Sequence, residues 1–316
     1  MPRSPRRPPQ LRGRVFRGSV AVARGLLTRN DLRSTAWRPL FRDVYADAQL
    51  PATHRVRCAA VGQWLVPPGA AIAGRSAAAL FGCAQGRADD PVDVLVPRGV
   101  RLAPHAGLRV HQGPVDQGDI VKRSGTAVTS PERTCWDLAS WLDLVEAVVI
   151  IDALLSRRLT DVPALRGYAL ARAGRRGWRA MLRAVDLADA GAESPQESRT
   201  RVRLVLAGLP RPRTQWVVSR QGRFVARLDL SWPEYRVAVE YDGLWHDDPE
   251  QFHADRKRLN RLVKDGWIVV HVTAKRLRED FDGVVAEARA ALRSRGHHAR
   301  ATPRDPARTA MTAGTR

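Results

Sequence analysis

The stretch FVARLDLSWPEYRVAVEYDG, residues 224–243, alternates apolar and other side chains on both sides of a Trp-Pro pair. A period of two is typical of β-strands, so the stretch predicts two strands joined by a hairpin. Three acids interrupt the pattern near the strand ends: Asp229 in the first strand, and Glu240 and Asp242 in the second. A carboxylate in such an apolar setting is costly without a cation or hydrogen-bond donor, which makes these acids candidates for a functional site.

The elements around the hairpin predict an α/β domain over residues 188–295. Ahead of it, ESPQESRTRVRLVLAGL opens with a capping box from Ser194 to Glu197 and continues as a helix, followed by the strand QWVVS. After it, a helix is predicted from the N-cap Asp248 to Gly266, then the buried strand WIVVHV and the helix DFDGVVAEARAAL. The predicted order is helix, three strands, helix, strand, helix.

The hairpin register decides whether the acids meet. If Ser231 opposes Arg236, Asp229 lies diagonal to Glu240, and Asp242 shares the face of Glu240 because it is two residues further on. Three carboxylates on one face repel one another, so they persist only with a cation or with raised pKa values. The sequence therefore predicts that Asp229, Glu240 and Asp242 converge.

Carboxylate oxygens are hard ligands that suit Mg²⁺ or Mn²⁺, and such an ion can activate water and stabilise charge on phosphate oxygens. His246, four residues after Asp242, is a candidate proton donor or phosphate-orienting group. Structural interpretations stay open beside this one: Glu197 closes its capping box, and a lone histidine is more often an ordinary surface or core residue.

Charge favours a polyanionic partner. The formal net charge is +21 and the sequence pI about 11.4, which makes nucleic acid the default partner, although a genome that favours Arg codons also raises the pI. Residues 1–20 hold six Arg and no acid, and residues 293–316 hold six Arg and one Asp. Because they also lack apolar periodicity, residues 1–18 and 296–316 are predicted to be disordered basic arms.

The N-terminal half predicts two further modules. Over residues 19–50, apolar spacing predicts three short helices, the second capped by Thr28 and the third over Trp37 to Phe41, before a strand at Val44 and Tyr45. Such a unit is typical of a small winged-helix module, with a helical cap on the next domain as the alternative. Residues 51–187 mix helices and strands without metal-ligand spacing or a nucleophile with a nearby base, which predicts an α+β domain with a structural or interaction role.

Cysteine usage and hydropathy bear on the compartment. Cys58, Cys83 and Cys135 are isolated thiols, so neither a disulfide framework nor a structural zinc site is expected. The N-terminus lacks a hydrophobic signal core, and the apolar run LVEAVVIIDALL, residues 144–155, is too short to span a bilayer. We therefore expect a cytoplasmic protein that does not associate with a membrane.

One series of motifs resembles the very-short-patch-repair endonuclease-like domains of the restriction-endonuclease-like PD-(D/E)xK superfamily. The series is RLD, then ExDG eleven positions later with His246 beyond it, then DxxRxxxL and a Gly-Trp-apolar strand. The resemblance covers residues 188–295. It implies that a helix Glu, a strand Asp and an acid on the next strand gather Mg²⁺, which assigns these roles to Glu197, Asp229 and Glu240. Asp242 stands at the superfamily's Lys position, and His271 stands where relatives often carry Arg.

A second resemblance concerns the N-terminal part. GLLTRNDLR, RPLFRDVYA and TSPERTCWDLA are similar to segments of the abortive-infection type IV antitoxin proteins, which implies a winged-helix DNA-binding module followed by a linker domain. Two hypotheses follow. The first is a Mg²⁺-dependent DNA endonuclease or nicking enzyme in which Arg256, Lys257 and Arg258 contact the DNA backbone. The second is a non-catalytic, antitoxin-like transcriptional regulator whose N-terminal half is available to a protein partner.

Overall fold

The computed structural model describes residues 5–83, 87–242 and 260–297, and it has a mixed α/β architecture as the sequence predicts. The chain divides into two compact units, residues 1–199 and residues 200–316. None of the helices in the described part of the chain is long and apolar enough to cross a membrane.

The first unit begins with a small antiparallel sheet in the order β1-β3-β2. Its elements are β1 (Val15–Arg17), α1 (Gly18–Ala23), a 3₁₀ turn (Asp31–Arg33), β2 (Trp37–Phe41) and β3 (Val44–Asp47). Phe16 packs edge-on against Trp37, with 5.1 Å between ring centroids, so the aromatic residues form the centre of this small core.

Two sequence expectations for this region are wrong. Residues 37–41 form a strand instead of a third helix: the i, i+3, i+4 spacing of Trp37, Leu40 and Phe41 is helical, but pairing with β3 overrides it, with a register shift between Pro39 and Phe41. Pro39 is tolerated there because β2 is an edge strand. Residues 15–17, assigned by composition to a basic arm, pair with β3. Thr28 does accept a hydrogen bond from the Asp31 N–H at 3.1 Å, as the cap prediction requires.

The larger part of the first unit is a five-stranded sheet in the order β6-β5-β4-β8-β7, together with helices. Its elements are α2 (His54–Trp64), β4 (Ala71–Ile72), α3 (Gly74–Leu80), β5 (Val92–Pro97), β6 (Leu108–Gly113), β7 (Ile120–Arg123), β8 (Thr126–Thr129), α4 (Pro131–Trp141), α5 (Leu144–Ser156), α6 (Val162–Leu170), α7 (Trp178–Leu187) and α8 (Pro195–Leu206). Helix α8 begins in the first unit and continues into the second.

A buried ion cluster at the start of α4 holds this unit together. The Arg133 guanidinium donates to Asp119 at 2.6 Å, to Asp137 at 2.9 Å and to the Pro114 carbonyl at 2.7 Å. Asp119 also accepts from the Tyr168 hydroxyl at 2.7 Å. Burial raises the pKa of Asp137 to about 7 despite the neighbouring guanidinium.

The second unit contains a four-stranded sheet in the order β12-β11-β10-β9. Its strands are β9 (Arg213–Arg220), β10 (Arg223–Trp232), β11 (Val237–Asp242) and β12 (Ile268–Thr273), and its helices include residues 260–264 (α9), α10 (Ala274–Glu279) and α11 (Phe281–Ser294). The strands β9, β10 and β11 pair antiparallel, and β12 runs parallel to β11. The described residues agree with the predicted order of helix, three strands, helix, strand and helix except at one point: a short helix that was not predicted, α10, lies between β12 and α11. Residues 248–259 of the helix predicted before β12 lie outside the described residues.

Two apolar clusters hold the sheet of the second unit in place. One contains Val237, Val239 and residues of α11, and the other contains Ala238, Leu228 and Leu262. Because neighbouring residues of β11 point to opposite faces, this strand is buried on both sides. Glu240, which lies within β11, is therefore carried into the middle of the unit.

Candidate functional site

Four polar residues lie side by side across the sheet of the second unit, one on each strand. We call Gln215, Asp229, Glu240 and His271 the polar row. The pairings that define it are Trp216 with Leu228 and Thr214 with Leu230 between β9 and β10, Leu230 with Val239 between β10 and β11, and Glu240 with His271 between β11 and β12. Continuing each antiparallel register by one residue sets Gln215 beside Asp229, and Asp229 beside Glu240.

The hairpin register that the sequence suggested is wrong by two residues. Ser231 opposes Ala238 and not Arg236. The reason is the turn, in which a 3₁₀ segment (Pro233–Tyr235) is followed by Arg236 in the left-handed region at φ 52°. A shift of two keeps the same residues on each face, so the acids still meet, and Asp229 moves from a diagonal position to one directly opposite Glu240.

The Asp229 carboxylate is fixed at the backbone of β11. Its Oδ2 accepts a hydrogen bond from the Tyr241 N–H at 3.0 Å. The regular β10–β11 pairing ends at Leu230 and Val239, so the carboxylate takes the place of the next carbonyl acceptor. Asp229 is thereby held within one residue of Glu240.

Backbone geometry is unusual beside Asp229. Gln215, its neighbour on β9, has φ of 50° within a strand, a conformation that residues other than glycine seldom adopt. Strained backbone of this kind persists where the surrounding structure imposes it, and it is often found at functional sites. The residue with this strained backbone, Gln215, therefore belongs to the polar row and lies beside Asp229.

Glu240 is the most buried acid of the row, with 4% of its surface exposed. Burying a carboxylate costs several kcal/mol unless a cation or hydrogen-bond donors compensate for lost hydration. A second carboxylate directly across the strands adds repulsion. Asp229 and Glu240 therefore bring two carboxylates to adjacent positions on β10 and β11.

Asp242 and His271 form a pair at the exposed end of the row. The His271 Nδ1 lies 3.1 Å from both carboxylate oxygens of Asp242. The two side chains are 37% and 46% exposed, respectively, so solvent reaches the pair. The resemblance marked His271 only as a departure from relatives, whereas the parallel register places it beside Glu240. Its signal in the sequence is a single titratable residue inside the otherwise apolar run WIVVHV.

Glu197 lies in the first unit at the start of α8. The Ser194 Oγ accepts from the Glu197 N–H at 3.2 Å, and the Glu197 Oε2 accepts from the Glu193 N–H at 3.0 Å. This reciprocal arrangement is the predicted cap, reaching one residue further upstream than a standard capping box. The participation of Glu197 in the carboxylate site stays a prediction.

The other predicted site residues, His246, Arg256, Lys257 and Arg258, lie outside the described residues. Within residues 5–83, 87–242 and 260–297, no three His, Cys, Asp or Glu side chains are grouped so that they could hold a metal ion. The described part of the site therefore offers two adjacent carboxylates and an Asp–His pair.

Two curated proteins are similar to this chain. The uncharacterized protein MT2308 of Mycobacterium tuberculosis strain CDC 1551 / Oshkosh is 32% identical over 184 residues, which cover 58% of this chain and 67% of the relative. The uncharacterized protein Rv2248 of strain ATCC 25618 / H37Rv shows the same identity and coverage. The chain belongs to the family of these mycobacterial proteins. No family model and no solved structure matches it.

Proposed function

We propose that this protein is a Mg²⁺-dependent, or Mn²⁺-dependent, DNA endonuclease or nicking enzyme that hydrolyses phosphodiester bonds. The observation that carries the proposal is the position of Glu240, which is buried and lies one residue past the last β10–β11 pair, where the register sets it beside Asp229. Sequence resemblance to the very-short-patch-repair endonuclease-like domains supports it, because the same two positions hold the metal in that superfamily.

The donor set fits a small divalent cation. Carboxylate oxygens are the ligands that Mg²⁺ and Mn²⁺ prefer, and Mg²⁺ is commonly held by only one or two carboxylates with water completing its shell. Asp229 and Glu240 would hold the ion, and Glu197 would assist. When bound, the ion would activate water and neutralise charge on the phosphate. The Tyr241 N–H orients Asp229 for this role.

The Asp242–His271 pair supplies a candidate proton acceptor. In the superfamily a Lys stands two residues after the last acid, and here Asp242 occupies that position. The contact at 3.1 Å orients the imidazole, as a carboxylate does for many catalytic histidines. We assign proton transfer to this pair, with His246 as a further donor or phosphate-orienting group.

DNA is the proposed substrate because basic residues surround the site in the sequence. Residues 211–228, which include β9 and most of the paired part of β10, contain five Arg and no acid. Phe224 on the same hairpin is 66% exposed, and an exposed aromatic ring beside cations is suited to stacking on a nucleobase. Arg256, Lys257 and Arg258 are the further predicted backbone contacts.

The finer assignments of fold and compartment belong to the same proposal. Acids on adjacent strands of a mixed sheet flanked by helices support a restriction-endonuclease-like fold for residues 188–295. The small sheet and short helices of residues 19–50 precede the α+β region of residues 51–187, and we assign DNA or protein-partner binding to this winged-helix-like half. Free thiols at Cys58, Cys83 and Cys135 support a reducing cytoplasm.

Supercoiled plasmid tests the activity. The wild-type protein with Mg²⁺ or Mn²⁺ should convert it to nicked or linear DNA, and EDTA should stop the reaction. Asp229→Asn and Glu240→Gln should remove cleavage, whereas Glu234→Gln, which neutralises an exposed acid of the same unit, should cleave normally. No cleavage with either ion, or cleavage undiminished in Asp229→Asn, would contradict the proposal.

A non-catalytic, antitoxin-like regulator is the second candidate. The observation that favours it is the structural use of two of the acids: Asp229 completes strand pairing and Asp242 binds His271. This function predicts salt-sensitive binding to the protein's own promoter, unchanged in Asp229→Asn and without cleavage. If deleting residues 19–50 left that binding intact, the regulator hypothesis would lose its basis.

A further inference from the structure

A small cavity of about 210 Å³ lies in the first unit. Arg75 of α3 and Arg109 of β6 line it, with Asp93 of β5 and His111 of β6 beside them. The volume is several times that of a water molecule in the liquid, so the cavity has room for a small organic ion.

The cations around this cavity outnumber the acids. Glu146 is bound by both Nε and Nη2 of Arg199, the latter at 2.9 Å, and this bidentate contact holds the pKa of Glu146 below its usual range. Arg75 approaches the same carboxylate only at 3.5 Å. Because Arg199 already neutralises Glu146, the charge of Arg75 is only partly compensated.

The Asp93 carboxylate is likewise shared between two basic side chains. One oxygen of its buried carboxylate lies 3.2 Å from the His111 Nε2 and 3.5 Å from an Arg109 Nη. One acceptor atom therefore serves two donor groups, and the longer distance to Arg109 marks a weak contact. The Arg75 and Arg109 side chains are 43% and 52% exposed, so both guanidinium groups are accessible from outside.

The remaining wall of the cavity is apolar and rigid. The wall consists of Leu138 and Trp141, which belong to α4, and Leu142, the residue after the helix. The Trp141 and His111 rings stack in parallel with 3.5 Å between their centroids. Gly74 makes the stack possible, because a Cβ at this position would lie 2.9 Å from the Trp141 ring.

We propose that this cavity binds a small organic oxyanion, a carboxylate or phosphate monoester, whose charged end lies between Arg75 and Arg109 and whose apolar body packs on Trp141 and Leu142. Guanidinium groups recognise both oxyanions through paired N–H donors. Because cations are in excess around the cavity, the ligand needs a negatively charged end. Because the rest of the wall is apolar, an organic anion fits the cavity better than a bare inorganic ion does. The site is independent of the proposed nuclease activity.

Isothermal titration calorimetry of the full chain with benzoate and with phenyl phosphate tests the site. We expect one binding site per chain for at least one of the two, and the tighter one identifies the oxyanion. Benzamide, which has the shape of benzoate without its charge, should not bind. Inorganic phosphate and acetate should bind more weakly than phenyl phosphate and benzoate, respectively.

Variants locate the binding. Arg75→Gln and Arg109→Gln should each weaken binding by roughly tenfold or more, the cost of one lost charge-assisted hydrogen bond. Arg98→Gln removes the same charge from an exposed position of the same unit and should bind like the wild type. Leu142→Trp should block the cavity without changing charge, and circular dichroism should confirm that every variant is folded.

Three results would overturn the proposal. They are the absence of a single-site isotherm for both anions at millimolar concentration, equal binding of benzamide, and binding that is unchanged in Arg75→Gln, Arg109→Gln and Leu142→Trp. None of these depends on whether the chain cleaves DNA.

Discussion

Replacing Glu240 by Gln should make the second unit more stable when divalent ions are removed. The substitution keeps the shape of the side chain and deletes one of two charges that face each other across β10 and β11. If the site is built for a cation, the folded protein without that cation is penalised by repulsion between Asp229 and Glu240. The glutamine removes this penalty.

The structure sets the magnitude. Directly opposed strand residues have Cβ atoms about 5 Å apart, and two charges about 6 Å apart at an effective dielectric constant of about 20 repel by about 3 kcal/mol. Asp229 is half-buried, so solvent screening lowers this value. We expect a gain of roughly 1–2 kcal/mol, or roughly 4–16 °C in the unfolding midpoint of a unit of this size.

Thermal unfolding in EDTA and in Mg²⁺ is the assay. The wild type should gain stability with Mg²⁺, by about 1.4 kcal/mol at about ten times the dissociation constant, whereas Glu240→Gln should gain none. Glu234→Gln, at an exposed position, serves as the control for loss of a carboxylate. A Glu240→Gln protein that is less stable than the wild type in EDTA would show that Glu240 is a structural hydrogen-bond acceptor and would rule out a destabilising repulsion with Asp229.

Three further predictions concern the first unit. Arg133→Met should lower the free energy of unfolding by about 3–5 kcal/mol, because it removes the cation between the buried Asp119 and Asp137. The loss should appear as a large fall in the thermal midpoint. A loss below about 1 kcal/mol would show that this cluster contributes little to stability. The raised pKa of Asp137 means that the folded protein binds a proton that the unfolded chain has released, so stability should fall as pH rises from 3.8 to about 7. Asp137→Asn should flatten this slope in urea unfolding at a series of pH values, and an unchanged slope would show that other groups cause it. Burial raises the pKa of Cys58 to about 12. Iodoacetamide at pH about 8 should therefore modify Cys58 only after the protein is denatured, as mass spectrometry of peptides would show. Rapid labelling of Cys58 in the native chain would contradict its burial.

Strand periodicity predicted most of the second unit correctly. The alternation in VAVEYD and the apolar run WIVVHV correspond to β11 and β12. Gly266 ends α9 as expected: it adopts φ of 77°, and the Trp267 N–H bonds back to the Leu262 carbonyl. These features are local, so a single sequence contains them.

Long-range pairing explains the errors. The hairpin register depended on Arg236 adopting a left-handed conformation, which few residues other than Gly or Asn adopt readily. Trp37, Leu40 and Phe41 have helical spacing, and the pairing with β3 overrides it. In both regions the deciding contact joins parts of the chain whose alignment no local pattern specifies.

The candidate site was predictable only in part for the same reason. Asp229 and Glu240 could be found because acids interrupt an apolar alternation, and a register shift of two leaves that inference intact. His271 could not be placed, because its position beside Glu240 follows from a parallel pairing between strands that are separated by more than twenty residues of the chain. The cavity between Arg75 and Arg109 joins elements far apart in the chain and has no motif.

A Mn²⁺ titration followed by electron paramagnetic resonance shows whether the pair Asp229 and Glu240 holds a divalent ion, since bound Mn²⁺ loses the sharp signal of the free ion. We expect saturable binding to the wild type, competition by Mg²⁺, unchanged binding in Glu234→Gln, and loss of this binding in both Asp229→Asn and Glu240→Gln. Equal Mn²⁺ binding by the wild type and both of these folded variants, or no binding by the wild type, would contradict a divalent-ion site between Asp229 and Glu240.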